Sequence, residues 1–334
     1  MNHQSALKPC FAPAQNCSLS ILLAALCCFV VPALQAQTPP EFTGIQRLTN
    51  KETRLQLTTS PASNYRIDAS TNLPAWSSLV TLTGVTTTLL HTDSAAPYLA
   101  SRYYRAERLA GTNILTGDHL PTDVGDVVIH PINHASLVLK WGEKMIYNDP
   151  VGATNLYTGI PRADLILVSH EHPDHFNSTT IEGVRRPGTV IIVSQIVYNS
   201  LTAAQKTNAI VLTNTVVTNV LGMTIESVPA YNGNHPRGRG NGYVLTIGGR
   251  RIYFSGDTGD APEIRALPNI DVAFLCMNVQ FTMDVTTAAS VIRAMRPKVA
   301  YPYHYSGSPP GDVGLFKRLV GTDLGIEVRL RKWY

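Results

Sequence analysis

Cysteine is nearly missing from the part of this chain that would fold. Five cysteines occur in 334 residues, and Cys10, Cys17, Cys27 and Cys28 all precede residue 40, which leaves Cys276 alone. A single thiol closes no internal disulfide, so a disulfide-stapled scaffold is excluded. Cys276 sits in the apolar run VAFLC and reads as a buried, inert thiol and not a nucleophile. Charge is also scarce: Asp, Glu, Lys and Arg make up 15% of the chain, the net charge is +4, and no basic run stands out. Nothing in that balance calls for a nucleic acid. The Gly-x-Ser-x-Gly elbow of serine hydrolases does not occur, and neither does an internal repeat.

What the chain does have begins with a leader. Lys8 is the only charge before residue 40, and SLSILLAALCCFVVPALQA supplies an apolar stretch that ends in a small residue at Ala36. This pattern predicts a secretory signal peptide over residues 1–36 and an exported protein, periplasmic or extracellular. The stretch is shorter than a full membrane span, so no membrane anchor is expected after cleavage. Beyond QTPPEF, residues 41–108 alternate apolar and polar positions in RLQLTTS, NYRIDAS, SSLVTLTG and SRYYRAE, with Pro, Asn and Gly turns between them. A period of two without helical periodicity predicts a small all-β sandwich, and the stretch resembles fibronectin-III-like accessory modules of secreted proteins. Trp76, Tyr103 and Tyr104 are expected to pack there.

From 110 to 334 the pattern changes. Strands are expected at DVVIH, SLVLK and KMIYN, then at DLILVS, TVIIVS and AIVLT, whose unbroken apolar character implies burial on both faces. YVLTI-GG-RRIYF reads as a hairpin turned by Gly248 and Gly249. Helices are expected over 178–185, 195–205, 285–296 and 312–320, the third capped by Asp284 and stopped by Pro297. Strands interleaved with surface helices give an α/β layered domain.

The densest chemistry lies in SHEHPDH, residues 169–175, which leaves the end of the strand DLILVS. His170 and His172 are two apart, so in extended chain they point the same way. Pro173 stiffens the turn, and Asp174 and His175 follow into the same pocket. Imidazole and carboxylate suit zinc and comparable divalent ions, and a catalytic ion needs about three protein ligands plus an open position. Four donors here exceed that need, which points to a second ion or to a catalytic role for one of them.

H-x-H-x-D-H after a strand resembles the signature of the metallo-β-lactamase-fold hydrolases. Their other motifs are matched in order by MIYNDP (Asp149), VPAYNGNHPRG (His235), RIYFSGDTG (Asp257) and VAYPYHY (His304). The resemblance implies an αββα sandwich, here preceded by the small all-β sandwich, with two divalent ions between the sheets. Zinc is the first choice, and manganese or iron are alternatives. It implies that His170, His172 and His235 hold one ion, that Asp174, His175 and His304 hold the other, and that Asp257 bridges both. Asp149 is then a supporting residue, and His134 of INHAS lines the pocket.

Within that family, NHASLVLKWGEKMIYNDP, HPRGRGNGYVLTIGGRRIYFSGDTGDAPEI, FTMDVTTAA and RPKVAYPYHY are similar to the L-ascorbate-6-phosphate-lactonase-like branch. The implied activity is hydrolysis of a lactone- or ester-type bond in a small molecule by a metal-bridged hydroxide. Asp174 would orient the nucleophile and pass its proton to the leaving group. Phosphodiester cleavage by the same ions and a secreted binding protein without catalysis remain the alternatives. Arg237 and Arg239, close to His235 on a Gly-rich loop, either meet an anionic group of the substrate or form a solvated basic loop.

Overall fold

A computed structural model of the chain describes residues 39–111, 114–305 and 312–333. The expected leader, residues 1–36, lies outside the described residues. No helix among them is long and apolar enough to cross a membrane.

The strand Ala163–Val168 shows how the sequence makes layers. Leu165 and Leu167 join a buried cluster with Ile225, Leu245 and Phe274 of a facing sheet. Ile166 and Val168 point the other way and join Ile181 and Val184 of the helix Ser178–Val184. Both faces are covered, so the run is apolar throughout, and each such side chain contributes roughly 1.5–3 kcal/mol by burial. The facing sheet has seven strands, and the helix Val285–Met295 lays Ala288, Val291 and Ile292 against it. Helix, sheet, sheet and helix stack in that order, which is the αββα sandwich. Asp284 caps Val285–Met295 by accepting from the Thr287 N–H, as expected. The helix expected over 195–205 is two helices, Gln195–Ser200 and Ala203–Lys206. Thr202 and Gln205 exchange side-chain-to-backbone hydrogen bonds and start the second helix afresh.

The larger sheet has ten strands and reaches into the N-terminal third. Phe42–Arg47, Thr53–Thr58 and Thr88–Asp93 form a separate three-stranded sheet. Its Leu55 and Leu57 pack on Tyr65, Ile67 and Val80, from the strands Asn64–Ser70 and Ser77–Thr83. Those two strands continue the larger sheet, because Ser77–Thr83 pairs with Gly117–Leu120 at Val80↔Asp118 and Thr81↔Gly117. The pass is tight: at Gly117, with φ +143, a Cβ would lie 2.1 Å from the Ile129 carbonyl oxygen. The three-stranded sheet packed on these strands is consistent with the small all-β sandwich expected before the αββα sandwich, and because its partner strands continue the larger sheet, residues 39–334 form one compact unit.

Candidate metal centre

Every candidate ligand sits where a strand ends, and several ends are bent on purpose. His170 follows Ala163–Val168, and Asp257 follows Arg250–Phe254. His235 lies on the loop between Met223–Ala230 and Gly240–Ile247. His304 is in Val299–Tyr305 at a bulge: Cys276 pairs with Tyr303 and Met277 with Tyr305, which leaves His304 unmatched at φ +47. An extra residue in one strand re-aims its side chain, and here the imidazole turns into the centre. His134 (φ +55) and Asp149 (φ +42) adopt the same uncommon backbone. Gly256 (φ +57) turns the chain into Asp257 where a Cβ would lie 2.9 Å from the Asn241 carbonyl oxygen.

The side chains meet in two groups joined by one carboxylate. His170, His172 and His235 form the first, with His172 Nδ1 3.0 Å from His235 Nε2. Asp174, His175 and His304 form the second, together with His134. Asp257 faces both: Oδ1 is 3.1 Å from His175 Nε2 and 3.1 Å from His304 Nε2, and Oδ2 is 3.7 Å from His170 Nε2 and 3.9 Å from His235 Nε2. All seven residues expected to bind metal thus converge. Asp174 alone among them is open to solvent, with its side chain 48% exposed.

The electrostatics suit a cation. Burial opposes ionising Asp257, but the charges of His175 and His304 outweigh it and hold the carboxyl well below the ordinary carboxylate range. Burial likewise opposes a proton on His175, but Asp257 and Asp149 outweigh it and raise that imidazole well above its usual value. The site therefore draws positive charge to the Nε2 side of His175, where a proton and a metal ion compete. His170 is pushed down to about 2, by burial first and the charge of His175 second. Its imidazole is neutral at ordinary pH, the form that binds metal. His170 Nε2, His175 Nε2, His304 Nε2 and Asp257 Oδ1 are buried without a hydrogen-bond partner. Buried polar atoms are seldom left so, and one or two divalent ions among them would satisfy all four.

Asp149 supports the centre from behind. Its Oδ2 is 2.8 Å from His175 Nδ1, and Oδ1 accepts from the Ser169 N–H at 2.7 Å. That is the carboxylate–histidine arrangement which fixes the ring and strengthens its other nitrogen as a ligand. Two supporting residues escaped sequence reasoning. The Ser169 hydroxyl donates to Asp149 Oδ2 at 2.8 Å, and Asn232 Oδ1 lies 3.1 Å from His235 Nδ1. The signal available was adjacency, since Ser169 precedes His170 and Asn232 is three residues before His235. Arg237 is not drawn into the centre. It is half exposed, pairs with Glu263 and lies over the Tyr231 ring, while Arg239 pairs with Glu171. Each guanidinium is already matched by a carboxylate.

A model of the beta-lactamase superfamily domain matches residues 128–304, which contain all of these side chains. A UPF0173 metal-dependent hydrolase of Thermococcus kodakarensis is 34% identical over 204 residues, 57% of this chain and 90% of that protein. Among solved structures, a protein of Parabacteroides distasonis described as a candidate metal-dependent hydrolase is 39% identical, with a TM-score of 0.59. The match covers 66% of this chain and 100% of that one. A metallo hydrolase of Ignicoccus hospitalis, 23% identical with a TM-score of 0.55, shares the fold over 62% of this chain and 95% of its own.

Proposed function

This chain belongs to the beta-lactamase superfamily and is a metal-dependent hydrolase, and from that premise we propose that it is an exported enzyme that opens a lactone- or ester-type bond in a small molecule at a two-ion centre. The observation that carries the two-ion reading is the split of Asp257, one oxygen toward each histidine group. Two divalent ions, zinc first and manganese or iron as alternatives, would supply Lewis acidity and an activated water there. His170, His172 and His235 would hold one, and Asp174, His175 and His304 the other.

The chain's own residues do the rest. Asp149 and Ser169 fix the His175 ring so that Nε2 faces the centre. Asp174 sits at the solvent side, with Oδ2 3.1 Å from His134 Nε2. Burial resists its ionisation, but the neighbouring imidazoles of His134, His304 and His175 outweigh it and hold the carboxyl far below the ordinary carboxylate range. Asp174 is thus ionised, and it would orient the nucleophile and pass its proton to the leaving group. The pairing of Arg237 and Arg239 with carboxylates favours an uncharged scissile carbonyl over a phosphoryl group. Resemblance to the lactonase-like branch supports the same choice, and the leader at 1–36 supports export. The test is metal analysis of purified protein, followed by assay on a panel of lactones, esters, phosphodiesters and a β-lactam. Two ions per chain with turnover of a lactone or ester is the expected result. Folded protein that takes up no metal refutes the proposal, and turnover of the phosphodiesters alone refutes the substrate class.

A further inference from the structure

We infer that His134 is itself a ligand of the second ion, presented by a clamp that the C-terminal segment closes; this rests on the two-ion reading above. Metal–nitrogen and metal–oxygen bonds of about 2.0–2.2 Å place neighbouring donors roughly 3–4 Å apart around a shared ion. The second group has that spacing. Asp174 Oδ2 lies 3.1 Å from His134 Nε2, 3.4 Å from His304 Nε2 and 3.8 Å from His175 Nε2. One donor atom from each of the four residues falls within 4.8 Å of all the others.

The backbone gives the second argument. His134 occupies the turn between Val127–Asn133 and Ser136–Trp141 with φ +55, a conformation disfavoured for any residue with a Cβ. It is held there from both sides. Its N–H donates to the Trp333 carbonyl at 3.1 Å, and its carbonyl accepts from the His304 N–H at 3.2 Å. Trp333 is buried, and the segment before it is pinned by Arg331, which donates twice to Asp118 at 2.8 Å. The Tyr305 hydroxyl, one residue past His304, donates to the Arg331 carbonyl. Residues far apart in the chain thus fix a strained histidine against His304, ring centroids 3.9 Å apart. A histidine that only hydrogen-bonded Asp174 would not need to be fixed so closely to a second candidate ligand.

The test uses the full chain loaded with cobalt(II), with ions counted by elemental analysis and affinities measured by competition with a chelator. Wild-type protein is expected to hold two ions. His134→Ala should keep the first and bind the second at least tenfold more weakly, while His134→Glu, whose carboxylate reaches as far as the imidazole, should restore it. The proton NMR spectrum of wild-type cobalt protein should show metal-shifted signals from six imidazoles, those of His134, His170, His172, His175, His235 and His304. This measurement needs no variant to fold. Second-ion affinity unchanged in His134→Ala, or shifted signals from only the other five imidazoles, overturns the assignment. Wild-type protein holding fewer than two ions fails the two-ion reading instead, so the two failures are told apart.

Discussion

Two buried polar clusters share the strand Val299–Tyr305, one at Tyr301 and one at His304, and they are built by opposite rules. Around Tyr301 the charges are matched. Asp118 accepts from the Tyr301 hydroxyl at 2.7 Å and from Arg331 at 2.8 Å on each oxygen. Arg329 donates to both oxygens of Glu327, which also accepts from the Ser94 hydroxyl at 2.7 Å. Around His304, four imidazole nitrogens (His170 Nε2, His175 Nε2 and both of His304) and the Asp257 Oδ1 oxygen are buried without a hydrogen-bond partner. A satisfied buried network braces a fold, whereas an unsatisfied one is arranged for something that arrives from outside. The sign of the local field sharpens the rule. His91 Nε2 also lacks a partner, but burial and the nearby charge of Arg331 push that imidazole down to about 4. A cation is repelled there and attracted at His175, where Asp257 and Asp149 face the ring.

The comparison breaks most visibly at Asp257. Asp257→Ala should remove metal from both groups together and lower activity by more than the roughly 100-fold typical of residues that only support a ligand. Elemental analysis alongside kcat/KM checks this, and loss of one ion alone would contradict a bridge. The bracing cluster should respond in stability and not in chemistry. Glu327→Ala leaves Arg329 buried without its carboxylate and should cost about 3–5 kcal/mol in a denaturant titration. Metal content per folded chain should stay at the wild-type value. Asp174→Asn tests the open side of the centre: it should lower kcat by about 100-fold, the lower range for lost proton transfer, while keeping most of the metal. If metal and activity fall in step, Asp174 is a ligand and nothing more.

The smallest effect concerns pH. His91 ionises near 6.5 in the unfolded chain and only near 4 in the fold. As pH falls below about 6.5 the unfolded state gains a proton that the folded state refuses, so the contribution of His91 to stability is lost progressively and levels off below about 4. Between pH 7.5 and 5.5 the loss should be about 1.4 kcal/mol. Thermal or urea unfolding of wild-type and His91→Leu at the two pH values checks it, and equal slopes would place the pH sensitivity elsewhere.

Much of the centre was legible because its donors are local. His170, His172, Asp174 and His175 lie in one short stretch after an apolar strand, and a strand end fixes where that stretch points. His235, Asp257 and His304 are far away in sequence, and only the ordered motifs of a known family joined them to it. Apolar runs such as VAFLC and the capped pattern at Asp284 made the layers readable, because burial on both faces and capping are written in neighbouring residues. The pairing of Val80 with Asp118 was not readable: GDHL is short, carries one apolar residue, and becomes a strand only because a glycine lets it pass Ile129. The hold of Trp333 on His134 was equally hidden, since it uses a backbone carbonyl and no side-chain signal. The fate of Arg237 depended on Glu263, whose approach no spacing announces.

His134, Asp149 and His304 share one further property, the positive φ described above. Glycine adopts that backbone without penalty, whereas a residue with a Cβ held there carries a strain on the order of 1–3 kcal/mol. In a library screened only for survival on heating, glycine substitutions at 134 and 304 should therefore be enriched. The same library screened for turnover should discard them. Thermal endurance and catalysis pull these positions in opposite directions, so an engineer seeking a hardier enzyme should exclude them from any consensus or heat-shock selection and look for gains elsewhere.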